Sequence, residues 1–175
     1  MKKLLMIISV VALATSVQAA SIIWKLTPIT ASESNAAAAG MVGYFMDAST
    51  YDAFSALTAD QVASYAAANY TFTGTTTKNA RTGVVTLAPT SGNYENESTV
   101  QGYVVLFDTA DAATADYYVA TSVVSGNIPA SGATTTLDFG SVASNGGWQT
   151  TAVPEPTSGL LLLLGMAGLA LRRRA

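Results

Sequence analysis

The chain has 175 residues, half of them hydrophobic, with 8 Lys and Arg against 11 Asp and Glu, a formal net charge of −3, and neither cysteine nor histidine. Without cysteine no disulfide can form, and without histidine there is no Ser-His-Asp or Cys-His catalytic arrangement and no histidine metal site. We therefore expect a domain stabilised by packing alone, with no metal or cofactor, and we expect it not to be an enzyme.

The N-terminus has the three parts of a secretory signal peptide. Residues 1–3 are cationic, residues 4–14 are apolar, and residues 15–19 form an exit of mainly small residues. The apolar part has about 11 residues, which is too short for an ordinary membrane-spanning helix, so cleavage is favoured over a retained anchor. We predict that residues 1–19 are the signal peptide and that signal peptidase cleaves between Ala19 and Ala20.

Residues 20–152 are predicted to be the exported domain. In its first half, strands are expected at 21–26, ended by Pro28, and at 41–46. A helical pair follows at 50–57 and 58–68, the second helix opening with a capping box at Thr58 and Gln61.

The second half returns to strand patterns. Predicted there are a hairpin of 70–73 with 84–87, a polar loop at 91–97, a strong strand at 100–107, two helical turns within 109–115, strands at 117–124 and 134–139, and a last short strand near Trp148. We therefore predict a mainly β (β-rich α+β) fold: a small antiparallel, sandwich-like domain of about seven strands with one short helical excursion between strands two and three.

The charges are distributed unevenly along the chain. The predicted domain holds ten acids but only Lys25, Lys78 and Arg81 as bases, a net charge of about −7, while the other five bases lie in the two ends. Because basic flanks stay in the cytoplasm, the precursor is predicted to be a hairpin with both ends inside and the domain outside. An acidic domain repels phosphate backbones, so no nucleic-acid partner is expected.

Four acidic residues are the candidates for chemistry. Asp47 and Asp108 each follow an apolar strand and could pair as an acid/base couple or bind calcium, although helix capping or loop hydrogen bonding explains both more simply. Asp108, Asp111 and Asp116 form a looser cluster that is expected to be a solvated face.

Aromatic side chains provide the other binding hypothesis, a platform that stacks on sugar rings. Core packing is the favoured interpretation for most of them, with Trp148 as the expected exception because of its glycine-rich setting. The candidates are Trp24, Tyr94, Tyr117, Tyr118 and Trp148.

The C-terminal part combines three physical elements. Pro154, Glu155 and Pro156 come first, the apolar run 158–171 follows, and Arg172, Arg173 and Arg174 come last. The run of about 14 residues would rise roughly 21 Å as a helix, short of a hydrocarbon core of about 30 Å, but a helix beginning at the prolines reaches about 28 Å. We therefore predict a membrane helix with a basic cytoplasmic end.

This order of elements resembles the PEP-CTERM sorting signal, which exosortases recognise on proteins exported by Gram-negative bacteria. The resemblance covers residues 153–175. It implies that residues 153–156 hold the recognition motif, that 158–171 are the membrane segment, and that the basic tail 172–174 is the cytoplasmic stop.

The resemblance also implies a function: an exported bacterial surface or extracellular-matrix-associated structural protein, processed by signal peptidase and exosortase and associated with exopolysaccharide or biofilm. The precursor would be anchored in the inner membrane by its C-terminal helix, and the mature form would be at the cell surface or extracellular. Two alternatives stay open for the domain. One is a carbohydrate-binding module, and the other is a hydrolase that uses a pair of carboxylates.

Overall fold

A computed structural model describes residues 20–151; the predicted signal peptide and the C-terminal sorting segment lie outside these residues. Eleven strands are formed within this range. They are β1 (Ala20–Ile29), β2 (Val42–Asp47), β3 (Phe72–Thr75), β4 (Thr77–Lys78), β5 (Val85–Leu87), β6 (Thr90–Tyr94), β7 (Thr99–Phe107), β8 (Tyr117–Ala120), β9 (Val124–Asn127), β10 (Thr135–Asp138) and β11 (Gln149–Thr150).

Two short α-helices lie between β2 and β3, where the helical excursion was predicted. They are α1 (Tyr51–Ser55) and α2 (Val62–Asn69), each preceded by a 3₁₀ turn, and further 3₁₀ turns occur at Ala112–Thr114 and Ala143–Asn145. At the start of the second helical segment, the Thr58 N–H donates to Gln61 Oε1 at 3.2 Å, which is one arm of the predicted capping box. No helix among residues 20–151 is long and apolar enough to cross a membrane.

The strands form two sheets. The first has the order β10-β1-β5-β4, with β6 also paired to β1, and it is antiparallel except for the parallel pair of β1 with β10. The second has the order β11-β8-β7-β2-β3, with β9 also paired to β7, and it is antiparallel throughout. The prediction of a mainly β fold is confirmed, although eleven strands replace the predicted seven. Several of the additional strands have only two to five residues and are rich in Thr, Ser and Gly, so they lack the alternating apolar pattern.

The inner faces of the two sheets share one core. β1 alternates buried and half-buried residues over its first eight positions, and its buried side chains meet those of β2, β7 and β8. Glycines in the second sheet make room for large side chains of the first: a Cβ built on Gly43 would lie 2.6 Å from Leu87 Cδ2, and one on Gly102 would lie 2.7 Å from Trp24 Cζ3. The side chains of one sheet therefore sit against the bare backbone of the other.

The outer face of the second sheet is covered by the helices. Met46, Tyr103, Val105 and Phe107 form a second core cluster with Phe54 and with residues of α2 and the turn at Ala112–Thr114. Because both faces of β7 are covered, all six residues from Gly102 to Phe107 are buried. The strand predicted at 100–107 is confirmed as β7.

Three sequence-based expectations about the first sheet are wrong. β3 pairs with β2, whereas β5 pairs with β1 and β4, so the predicted hairpin of 70–73 with 84–87 does not form. The expected polar loop at 91–97 largely becomes β6, which pairs with β1 through its backbone. β1 also continues past Pro28 to Ile29, because a register shift between Leu26 and Ile29 accommodates the proline.

The expected strand at 117–124 is divided in two. Val105 pairs with Ala120 and Gly102 pairs with Val124, so the chain of β8 and β9 contains one residue more than the facing stretch of β7. This is the arrangement of a β-bulge. Thr121 holds it, since its Oγ1 accepts a hydrogen bond from the Val104 N–H at 2.9 Å.

The predicted helical turns in 109–115 are reduced to the single 3₁₀ turn Ala112–Thr114. The Asp111 side chain accepts from the Ala113 N–H at 3.0 Å and begins that turn.

Candidate functional site

Asp47 and Asp108 lie at opposite ends of the β2–β7 pair. Asp47 is in register with Gly102 at one end, while Asp108 follows Phe107 at the other. Because the two strands are antiparallel and rise about 3.4 Å per residue, the carboxylates are separated by roughly 20 Å along the strands. The hypothesis that they pair as an acid/base couple is therefore wrong. Because the two carboxylates are so far apart, they give no support to a carboxylate-dyad hydrolase.

Each of these acids satisfies backbone or loop groups. The Asp47 side chain accepts from the Ser49 N–H at 2.9 Å and caps the turn before α1. Asp108 is 3% exposed, and its oxygens accept from Ser32 Oγ at 2.8 Å, Asn35 Nδ2 at 3.0 Å and the Tyr117 N–H at 3.2 Å. The interpretation by capping and loop hydrogen bonding is confirmed for both.

The acidic cluster is a solvated face only in part. Asp111 and Asp116 are exposed, but Asp108 is buried, because it joins the loop before β2 to the beginning of β8. Residues 20–151 contain no group of three or more His, Cys, Asp or Glu side chains arranged to hold a metal ion.

The five candidate aromatic residues do not form a platform. Trp24 is 3% exposed in the core between the sheets, with its ring 5.4 Å from Phe45 and 5.8 Å from Phe139, and its Nε1 donates to Ser91 Oγ at 2.8 Å. Tyr118 is 8% exposed and belongs to the other core cluster, on the opposite face of the second sheet.

The remaining three aromatic residues are half-buried and are held by the fold. Tyr117 donates to Glu33 Oε2 at 3.0 Å, and this hydrogen bond raises the pKa of the Tyr117 phenol. Tyr94 packs on the inner core, and its hydroxyl lies 3.1 Å from Ser91 Oγ. Trp148, the expected exception, packs partly on the same core while its Nε1 donates to the Thr30 carbonyl at 3.0 Å.

The chain leaves the described domain along an edge of the second sheet. β11 pairs with the beginning of β8, Gln149 with Tyr118 and Thr150 with Tyr117. Thr151 continues this attachment, since its N–H donates to the Asp116 carbonyl at 2.8 Å and its hydroxyl donates to the Ala115 carbonyl. Hydrogen bonds therefore hold the chain against the domain up to Thr151, which is only three positions before Pro154.

A cleft opens beside this exit, with a volume of about 380 Å³. α1 contributes Tyr51 and Phe54, β8 contributes Tyr118, the bulge contributes Ser122, and β11 contributes Gln149. Sequence reasoning missed this cleft, because its walls come from separate segments that only the tertiary fold brings together. Tyr118 was the only one of these five residues that the aromatic pattern singled out.

The candidate sorting residues Pro154, Glu155, Pro156 and Arg172 to Arg174, like the predicted cleavage site at Ala19, lie outside the described residues. Neither the curated proteins nor the solved structures yield a significant match to the chain. The family model of the PEP-CTERM protein-sorting motif matches residues 152–174. Such a motif implies an exported precursor that is anchored in the membrane and processed by an exosortase. Residues 152–174 are therefore a PEP-CTERM protein-sorting motif, as the resemblance indicated.

Proposed function

We propose that the protein is an exported bacterial surface or extracellular-matrix-associated structural protein, sorted by an exosortase through its C-terminal segment. The match of the sorting motif to residues 152–174 is the observation that carries the proposal. Signal peptidase acts at the N-terminus and the exosortase at the C-terminus, and the mature protein resides at the cell surface or outside the cell, in contact with exopolysaccharide and biofilm.

A structural rather than an enzymatic role is supported by the use of the acidic side chains. Asp47 and Asp108, the two acids in the most suggestive positions, are committed to backbone and loop hydrogen bonds at opposite ends of one strand pair. The large aromatic Trp24 is likewise committed to the core. We propose on this basis that the domain acts through its surface and not through catalysis.

The sorting segment divides its work among three parts in this proposal. Glu155 stands between two prolines, whose rings restrict the backbone and remove two amide donors, so its carboxylate is the charged group that the exosortase can bind. The apolar run 158–171 inserts into the membrane. Arg172 to Arg174 then hold the end of the helix in the cytoplasm.

The proposal is tested by Glu155→Ala in the native host, followed by cell fractionation and blotting. Membrane insertion should persist, because the apolar run and the arginines are unchanged, while C-terminal processing should stop and full-length protein should accumulate in the inner membrane. Glu95→Ala is the matched control, since it removes one exposed carboxylate from the domain. A processed surface form of Glu155→Ala at the wild-type level would contradict the proposal.

A second variant separates anchoring from processing. Changing Arg172, Arg173 and Arg174 together to Ala removes the cytoplasmic stop, so chains should pass unprocessed into the periplasm or be degraded. Wild-type amounts of processed protein from this triple variant would show that the basic tail has no part in sorting.

A further inference from the structure

The cleft lies where β11 and three other parts of the fold meet. The helical layer forms one wall through Tyr51, the edge of the second sheet forms another through Tyr118, and the β-bulge places Ser122 at the border. Its volume of about 380 Å³ is within the range of small-molecule sites, about 300–1,000 Å³. The cleft is therefore large enough for a small organic ligand or for a short part of a polymer.

The side chains that line the cleft are all uncharged. They are aromatic, aliphatic, hydroxyl or amide groups, in a domain whose described residues include ten acids and three bases. An ionic ligand would find no counter-charge there, and burying an unpaired charge is costly. The cleft consequently favours a neutral ligand that offers hydroxyl groups.

Some polar groups of the cleft are used by the fold and others are not. Asn145 Nδ2 donates to the Phe139 and Ser141 carbonyls at 2.7 and 2.8 Å, so its amide nitrogen holds the turn before β11. The side chains of Gln149 and Ser122, and the phenol hydroxyl of Tyr118, make no hydrogen bond with another residue within 20–151. These groups can bind a ligand without breaking any hydrogen bond among the described residues.

We propose that this cleft binds a neutral oligosaccharide, such as one or two hexose units of a polysaccharide chain. The Tyr118 ring stays in the core and offers its hydroxyl to the sugar, while the half-buried Tyr51 contacts the C–H groups of the ring through its π surface. Gln149 and Ser122 bind the ring hydroxyls, the first as donor and acceptor through its amide. The inference rests on the proposed function only for the presence of polysaccharide around the protein.

The experiment is isothermal titration calorimetry of the full-length chain, purified in a detergent without a sugar headgroup. The probes are cellotetraose, maltotetraose and mannotetraose, with tetragalacturonate as a charged comparison. Ser122→Arg places a long charged side chain at the cleft, and Ser125→Arg, at an exposed position of β9, is its matched control. Tyr118→Phe removes one hydroxyl, and Tyr70→Phe, at an exposed position outside the cleft, is its control.

We expect at least one neutral tetrasaccharide to bind with one site per chain, and tetragalacturonate not to bind. Tyr118→Phe should weaken binding about 3–10-fold, the usual effect of losing one hydrogen bond, and Ser122→Arg should abolish it. Both controls should bind as wild type does, and thermal unfolding of each variant checks that it is folded.

The proposal is overturned if none of the three neutral probes binds, if tetragalacturonate binds as tightly, or if folded Ser122→Arg binds as wild type does. If no sugar binds, the prediction for the sorting of Glu155→Ala still stands, because sorting is measured in cells by processing and location. The two proposals can therefore fail separately.

Discussion

Replacing Gly102 by alanine should destabilise the domain, because the Trp24 ring of the facing sheet packs directly against this glycine. A Cβ at this position would lie 2.7 Å from the Met46 carbonyl oxygen and 2.7 and 2.8 Å from Cζ3 and Cη2 of Trp24. Neither neighbour can move easily. The Met46 carbonyl belongs to the paired strand β2, and the Trp24 ring is held by its hydrogen bond to Ser91 and by stacking on Phe139.

The magnitude follows from two opposing effects. Adding a methyl group to a packed core costs about 1–3 kcal/mol, while the alanine removes freedom from the unfolded chain and returns about 0.4–1 kcal/mol. A net loss of about 1–2 kcal/mol is expected. For a domain of this size it should lower the melting temperature by roughly 3–10 °C.

The assay is thermal unfolding of the full-length chain, followed by near-ultraviolet circular dichroism. Gly92→Ala is the matched control, because a Cβ at Gly92 would have no heavy atom within 4 Å. That variant should unfold at or slightly above the wild-type temperature. If Gly102→Ala unfolds at the same temperature as Gly92→Ala, the description of Trp24 as packed against the bare backbone of Gly102 is wrong.

Three further predictions concern stability. Leu106→Asp places a carboxylate at a fully buried position of β7 and should cost about 3–5 kcal/mol, so a wild-type melting temperature would contradict the position of that strand. Asp108→Ala removes three hydrogen bonds and should cost about 2–4 kcal/mol, clearly more than Asp111→Ala at an exposed position, as chemical denaturation would show; equal losses would contradict the bonding of Asp108. Burial raises the pKa of the Tyr103 phenol to about 12. As the pH rises, the unfolded chain therefore loses the phenol proton first, near pH 10. The stability that Tyr103 contributes below pH 10 should then fall between pH 10 and 12. Between pH 10 and 12 the melting temperature of Tyr103→Phe should fall less steeply than that of the wild type. The same slope in both proteins would show that other groups cause the loss of stability.

The parts of the fold that were predictable have strong local signals. β2 and β7 are apolar on both faces over several residues, and the segment that contains α1 and α2 carries helical spacing and a capping pair at Thr58 and Gln61. These signals depend on a few neighbouring residues, so tertiary contacts did not change them.

The failures come from contacts between distant segments. β6 has a loop-like sequence and becomes a strand only because β1 offers its backbone. β3 and β5 belong to different sheets, although only β4 lies between them in the chain. Asp108 is buried because Ser32 and Asn35, more than 70 positions away, supply its hydrogen bonds. The cleft was unpredictable for the same reason, whereas the sorting motif is contiguous and was recognised from its own residues.

The intact mass of the protein recovered from the surface of its native cells tests the central claim most directly. The account predicts a chain that begins at Ala20 and has lost its C-terminal residues, including Arg172 to Arg174, with any covalent addition from the exosortase visible as extra mass. A mass equal to the whole chain from Met1 to Ala175, or to a chain from Ala20 that retains the three arginines, would contradict sorting by this motif.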